Sequence, residues 1–314
     1  MQHSILIAGP TASGKSAFSL MLAEKLNGVV INADSMQVYR DLRILTARPS
    51  VEEEGQAPHK LYGYLDASEV CSAADWTALA IQEIRQAQKN GQVPIVVGGT
   101  GMYFRFLLEG VAEIPDIDPE IRTQVRQWCE NEGSAVLHEW LKGKDPDLYT
   151  RLHPSDSQRI CRAVEVYQST GRALGDWQKN NKHGPLYQDD QKGLVHKYVL
   201  TLGRDDLYDR CNRRFDIMVQ EGALDEVAAL KNRHLDSKLP CMKSLGYPEL
   251  SDYLSDKLSL QDAAEISKMQ TRRFAKRQLT WFRNQFKHWK MLDTQYLESE
   301  CDSLVKNYFK KTID

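Results

Sequence analysis

Eight residues near the start of the chain, Gly9-Pro10-Thr11-Ala12-Ser13-Gly14-Lys15-Ser16, fit the phosphate-cradling pattern G-x-x-x-x-G-K-[ST] without a mismatch. Each residue type has a task in such a loop. Its glycines allow backbone dihedrals that other residues resist, so successive N–H groups converge on phosphate oxygens. Lys15 contributes a full positive charge, and Ser16 a hydroxyl suited to Mg2+. The spacing predicts a polyphosphate or pyrophosphate ligand. A glycine-rich turn that binds nothing is the competing reading.

Three more constellations carry candidate chemistry. Asp34-Ser35-Met36-Gln37-Val38-Tyr39 puts a carboxylate just past an apolar run. There it would serve as a Mg2+ ligand or a general base, or else cap a helix. Val97-Gly98-Gly99-Thr100-Gly101 also follows an apolar run. Its glycines would let a substrate reach the backbone beside the Thr100 hydroxyl, or would only turn the chain. The third stretch, residues 266–292, holds Lys268, Arg272, Arg273, Lys276, Arg277, Arg283, Lys287 and Lys290 and no acidic residue. Phe274, Trp281, Phe282, Phe286 and Trp289 recur in it near helical spacing, giving one apolar and one basic face. Solvated helices mix signs to gain i,i+4 pairs. Unbalanced cations in a chain of net charge −2 call for a polyanion, and nucleic acid is expected. Arg151, Arg159 and Arg162 form a weaker basic cluster.

These groups need elements to hold them. The loop lies between an apolar strand, Ile5–Ala8, and a helix carrying Phe18, Leu22 and Leu26. A second strand over Val29–Asp34 would put Asp34 at its C-terminal end, where open α/β sheets gather ligands. Residues 46–60 read as a loop, Ser72 caps a helix over about 73–90, and Pro94–Val97 is another buried strand. From Asp116 to about Gly171 the pattern is all helical, with starts at Asp118-Pro119 and Pro154-Ser155-Asp156. Residues 175–193 are polar and predict a loop or hinge, before a strand over Tyr198–Leu202 and a helix over about 205–222. The expected fold is α/β, a P-loop NTPase-like parallel sheet core with an inserted all-helical domain. Residues 1–112 and 194–290 would form the core, 113–193 the insertion and 291–314 a C-terminal tail.

Length and composition agree with that plan. The 314 residues are 41% apolar and 27% charged, ordinary for a globular protein of about two domains. No basic segment followed by an apolar run suggests a signal peptide, and no apolar window is long enough to span a bilayer. The six cysteines are scattered without a C-x-x-C pair, so reduced thiols in a cytoplasmic protein are expected, with no structural zinc and no membrane partner.

In order and spacing these motifs resemble the bacterial tRNA dimethylallyltransferase, or isopentenyltransferase, family. The resemblance rests on Gly9–Ser16, Asp34–Tyr39, Thr46-Ala47-Arg48-Pro49, Val97–Thr100, Asp156–Arg162, Leu245-Gly246-Tyr247 and Thr271–Arg283, and covers nearly the whole chain. It implies transfer of a dimethylallyl group from its pyrophosphate to N6 of the adenosine directly 3′ of the anticodon in tRNA. By that resemblance Gly9–Ser16, with Arg210 and Arg214, hold the pyrophosphate, Ser16 serves Mg2+, and Asp34, Lys15 and Thr100 are catalytic. Arg210 and Arg214 could equally pair with Asp205, Asp206 or Asp209. Asp34, Ser35, Met36, Gln37 and Thr100 would read a flipped-out base. Arg122, Gln158, Arg159, Ile160, Cys161 and Arg162 correspond to further tRNA contacts. So do Lys243, Ser244, Leu245, Gly246 and Tyr247, and Lys276, Arg277, Gln278, Trp281 and Arg283. The helical insertion would clamp the anticodon stem. The expected partners are tRNA and dimethylallyl pyrophosphate, the expected cofactor Mg2+, and the expected state a monomer.

Three rivals share parts of this pattern. An adenylate isopentenyltransferase acting on free AMP or ATP uses the same loop, but has no use for an acid-free basic stretch. A P-loop NTPase would place an acid near Val97-Gly98-Gly99, although Asp34 could replace it. A non-enzymatic RNA-binding protein with a nucleotide switch would need the basic stretch and the loop, but release no pyrophosphate.

Overall fold

The apolar runs do become strands. The computed structural model describes residues 3–179 and 183–313. Its strands are β1 (Ser4–Ala8), β2 (Gly28–Asn32), β3 (His59–Lys60), β4 (Val93–Gly98), β5 (Val195–Thr201) and β6 (Lys290–Asp293). They form one six-stranded sheet in the order β3-β2-β4-β1-β5-β6, and every pairing is parallel. β1, β2 and β4 are buried from end to end, as a parallel sheet covered on both faces requires.

Alternation along β1 divides the core into two layers. Ile5 and Ile7 point into one layer with Phe18, Leu22 and Leu26 of α1 (Lys15–Leu26). Leu6 and Ala8 point into the other, with Trp76 of α3 (Ala73–Lys89) and Phe104 of α4 (Gly101–Glu109). Between α1 and α3 lies a short α2 (Val51–Gln56). Burying a side chain such as Leu22 contributes about 1.5–3 kcal/mol, so each layer fixes its helices firmly on the sheet.

Two compact units emerge. One comprises Met1–Leu108 with Pro185–Asp314, the other Glu109–Gly184. The second unit is helical: α5 (Pro119–Glu132), α6 (Ser134–Leu141), α7 (Pro146–Arg151), α8 (Ser157–Thr170) and α9 (Leu174–Lys179). Leu137, Leu141, Ile160 and Val164 make its own apolar centre. Asp118 and Asp156 cap α5 and α8 at the expected starts, accepting the N–H groups of Glu120 and Arg159.

The remaining helices belong to the first unit: α10 (Tyr187–Gln191), α11 (Arg204–Gln220), α12 (Ala223–Lys231), α13 (Tyr247–Tyr253), α14 (Leu260–Gln285) and α15 (Leu297–Ile313). The stretch 175–193, expected as a loop or hinge, carries most of α9 and all of α10; its residues 180–182 lie outside the described residues. Within it, Leu186 N–H donates to Leu107 O at 2.8 Å, which ties the start of α10 to the end of α4.

Residues expected as a C-terminal tail are built into the fold. β6 extends the sheet beside β5, and Cys301 and Leu304 of α15 are buried in the α1 layer. The strand is only four residues long, with Lys290, Met291 and Asp293 exposed and Leu292 buried, so its apolar signal was too short to stand out. No described helix is long and apolar enough to cross a membrane.

Candidate active site

Between β1 and α1 the backbone takes the left-handed region at Ala12 (φ 61°) and Gly14 (φ 87°). For Ala12 that costs on the order of 1 kcal/mol, whereas Gly14 adopts it freely. The first N–H groups of α1 have no carbonyl within the helix to bind. Lys15 folds back over the loop, its Nζ donating to Pro10 O at 2.6 Å. Burial pushes the Lys15 ammonium down to about 8, opposed by the Asp34 carboxylate and reinforced by Arg214. The Ser13 hydroxyl is buried with no hydrogen-bond partner.

Asp34 stands two residues past β2. No helix begins there, so the capping alternative falls away. Its Oδ1 instead closes a tight turn by accepting Met36 N–H at 2.9 Å. Fully buried Asn32 braces that turn, accepting Asp34 N–H at 2.8 Å and donating to Asp34 O at 3.0 Å. The end of β4 is laced to the same place. Ser35 N–H donates to Thr100 Oγ1 at 3.0 Å, and Thr100 N–H to Ala33 O at 3.1 Å. Of the two readings of the glycines at 98–101, substrate approach or a chain turn, the structure favours the turn, because the protein itself fills the space beside them. A methyl group at Gly98 would strike the Ala33 backbone, at Gly99 the Gln278 amide, and at Gly101 the Trp281 ring.

These strand ends open on a cavity of about 340 Å3. Thr11, Asp34, Ser35, Thr100 and Arg214 form its polar part, and Met36, Leu45, Phe215, Met218, Leu245 and Phe274 its apolar wall. Adjoining it is a wider cleft of about 1040 Å3, lined by residues 12–17, by Arg210, Arg213 and Arg214 of α11, and by part of residues 43–53. Arg214 and Met218 line both spaces.

Arg214 donates to Thr11 Oγ1, and the Arg210 guanidinium lies 3.7 Å from where a Gly14 Cβ would stand. The salt-bridge alternative for these two arginines is not what the structure contains. Asp209 pairs with Arg213 at 2.6 Å, and Arg210 and Arg214 make no ion pair among the described residues. Glu226 of α12 holds the chain at the cleft's edge, accepting the N–H groups of Arg43, Ile44 and Leu45 at 2.8, 2.7 and 3.0 Å. Sequence reasoning missed Glu226, because an acidic residue on an amphipathic helix gives no signal of its own.

Several residues expected to touch nucleic acid are committed elsewhere. Gln278 is only 7% exposed; it accepts Thr11 N–H at 2.8 Å and donates to Gly99 O at 2.9 Å. Gln37 donates to Thr46 O and Ala47 O at 2.9 and 2.7 Å, bracing the cleft wall. Ile160, Gly246 and Tyr247 are buried, Ser244 is buried but lines the smaller cavity, and Trp281 packs edge-on against Phe282 and Phe286. Cys161 is half-buried, and burial pushes its thiol up to about 12. The cause is the same in each case: a contiguous motif on a helix or turn includes inward-facing positions as well as outward ones.

Arg122, Gln158, Arg159, Lys243, Lys276, Arg277 and Arg283 are exposed, and Arg162 is half-buried. Arg159 pairs with Asp156 at 2.8 Å, and Arg162 with Glu165 at 3.8 Å. On and just after α14, Lys268 and Lys290 are also paired, and Arg272 donates to Asn212 Oδ1 at 2.6 Å. Arg273, Lys276, Arg277, Arg283 and Lys287 make no ion pair among the described residues. Arg277 lies over the Phe274 ring and reaches the wall of the smaller cavity.

No group of three or more His, Cys, Asp or Glu among the described residues could hold a metal by itself. Ser16 in the first turn of α1 offers a hard hydroxyl oxygen that bonds to no protein group. That donor suits Mg2+, which keeps waters and shares phosphate oxygens rather than filling an all-protein cage.

The IPP transferase family model matches residues 37–285. The chain is 45% identical to the tRNA dimethylallyltransferase of Nitrobacter hamburgensis, over 96% of this chain and 94% of that one. It is 48% identical to that of Azorhizobium caulinodans, over 91% and 90%. Among solved structures it resembles the tRNA isopentenylpyrophosphate transferase of Bacillus halodurans, with a TM-score of 0.69 and 33% identity over the full length of both. It also resembles a eukaryotic dimethylallyltransferase acting on tRNA, with a TM-score of 0.83 and 27% identity over 99% of this chain and 80% of that one.

Proposed function

The chain belongs to the IPP transferase family, and we propose that its two adjoining cavities hold the two substrates of a tRNA dimethylallyltransferase. The enzyme moves a dimethylallyl group from dimethylallyl pyrophosphate to N6 of the adenosine directly 3′ of the anticodon. One observation carries this assignment of residues: the phosphate-loop cleft and the cavity holding Asp34 and Thr100 share Arg214 and Met218 as a common wall.

Pyrophosphate lies on Gly9–Ser16, where the free N–H groups at the start of α1, Lys15, Arg210 and Arg214 take up the negative charge that grows as the allylic C–O bond breaks. Ser16 would hold Mg2+ beside the pyrophosphate, where the ion would supply further positive charge to the leaving group. The flipped adenine enters the smaller cavity. As the N6–C bond forms, the N6 proton passes to the Asp34 carboxylate, whose second oxygen is free of the turn that Oδ1 closes. Thr100 orients the amine from the facing strand end.

The unpaired cations of α14, with Lys243, face the phosphates of the tRNA. Arg122, Gln158 and Arg159 of the helical unit supply further contacts. The enzyme acts as a monomer. Labelled dimethylallyl pyrophosphate with Mg2+, offered to unmodified tRNA and to AMP in separate tubes, tests this reading. Label on tRNA alone is expected; label on AMP, or on neither, would overturn it.

A further inference from the structure

Gln278 has both ends of its amide occupied, and its two partners belong to the two sides of the reaction. Oε1 accepts Thr11 N–H at 2.8 Å in the pyrophosphate loop. Nε2 donates to Gly99 O at 2.9 Å in the turn after β4. Each partner touches a group that faces substrate. The Thr11 hydroxyl receives Arg214. Gly99 precedes Thr100, whose backbone and side chain lace the turn to Ala33 and Ser35, on either side of Asp34. Residues 11 and 99 make no hydrogen bond to each other, so the amide is the direct tie between them. Gly99 is the residue type this arrangement demands, since any side chain there would displace the amide. The helix that carries Gln278 also presents Arg277, one residue earlier, to the acceptor cavity.

We infer that Gln278 is a positioning residue for transfer: it sets the distance between the pyrophosphate loop and the Asp34–Thr100 turn, and does not contact the tRNA. This rests on the proposed function. An amide suits the place because it accepts on one side and donates on the other. Carboxylate at the same length would keep the Thr11 bond but oppose two acceptors across Gly99 O. A thioether would keep the volume and lose both bonds. Small displacements of loop against turn fall directly on the rate of the bond-forming step, because reacting groups must meet within a narrow geometry.

The test uses the full chain with Mg2+, labelled dimethylallyl pyrophosphate and unmodified tRNA. It measures the single-turnover rate at saturation, the active fraction, and tRNA Kd by filter binding. With wild-type label on tRNA established first, Gln278→Glu and Gln278→Met should each lose tenfold or more in single-turnover rate per active site. Their tRNA Kd should stay within threefold. Gly99→Ala, which pushes on the amide from the other side, should show the same split, and it decides the matter if Gln278→Met does not fold. A rise in tRNA Kd with the saturated rate unchanged would overturn the inference and make Gln278 a binding contact. So would a lower active fraction or melting temperature with the rate per active site intact, which is all that a purely structural tie predicts. If wild-type protein labels no tRNA, it is the proposed function that fails, not this tie.

Discussion

The two cavities at the C-terminal edge of the sheet differ in what they can recognise. The loop cleft is wide and built for charge: helix N–H groups, Lys15, Arg210 and Arg214 surround it. The smaller cavity has about a third of that volume, with a few polar groups set against a wall of Met36, Phe215, Met218, Leu245 and Phe274. Charge acts over several ångströms and tolerates a loose fit, whereas an apolar wall works only at contact. A pyrophosphate can therefore be held by a preset loop, while a base must be shaped by side chains from several elements. The shared wall of Arg214 and Met218 is where charge recognition gives way to shape recognition.

The largest expected effect breaks the acceptor side alone. Asp34→Ala should lower the single-turnover rate by about 10³-fold, the scale of a lost general base, with tRNA Kd within threefold. A loss of tRNA binding as large as the loss of rate would end the assignment of Asp34 as the base.

Breaking the donor side comes next. Lys15→Met should cost about 10²-fold in rate at saturating tRNA, the scale of one lost anion-stabilising donor, and weaken inorganic pyrophosphate binding. The sign of its pH dependence follows from its folded value of about 8, below the ordinary 10.5. Below pH 8 both folded and unfolded chains carry the proton, and burial of the charge costs stability. Between the two values the unfolded chain alone holds the proton, so ligand-free stability rises with pH there. Pyrophosphate affinity runs the other way, falling above pH 8 as the free protein loses the cation. Melting temperature and pyrophosphate Kd measured over pH 7–10 should show both slopes in the wild type and neither from this residue in Lys15→Met.

A third substitution leaves the loop cleft alone and takes only Arg277 from the wall of the smaller cavity. Lys276→Ala with Arg277→Ala should weaken tRNA binding about tenfold and flatten the slope of log Kd against log salt by about 1.5–2, as two phosphate contacts are lost. Pyrophosphate Kd should not move. An unchanged salt slope would place the RNA contacts elsewhere. Smallest of all, Arg159→Ala breaks an exposed pair with Asp156; its stability cost should stay below about 1 kcal/mol by urea melt, with a tRNA Kd change of only a few fold.

How much of this was legible beforehand varies with the reach of each interaction. The phosphate loop, the buried strands and the capped starts of α5 and α8 each announce themselves within a few residues. Their physics is local: glycine dihedrals, alternation and capping. Gln278 was legible only as part of a basic helix, and its inward face was not. Its partners lie 267 and 179 residues away in sequence. Glu226 was silent for the same reason, holding backbone N–H groups more than 180 residues distant. β6 and α15 read as a tail in sequence because a short edge strand and a mainly polar helix need the sheet and α1 to give them a buried face.

The sequence alone determined the chemistry on offer: a loop suited to an anion, a carboxylate after an apolar run, and cations without acidic neighbours in sequence. Dihedral preference, charge and short-range capping belong to residue types and their immediate neighbours, so they survive without a fold. Tertiary structure decided which of those groups meet. It brought the loop and the Asp34 turn to one edge of the sheet, turned Gln278 inward to join them, and left Lys276 and Arg283 outside. Those outcomes depend on packing between segments far apart in the chain, where burial and complementary contact, not local preference, set the free energy.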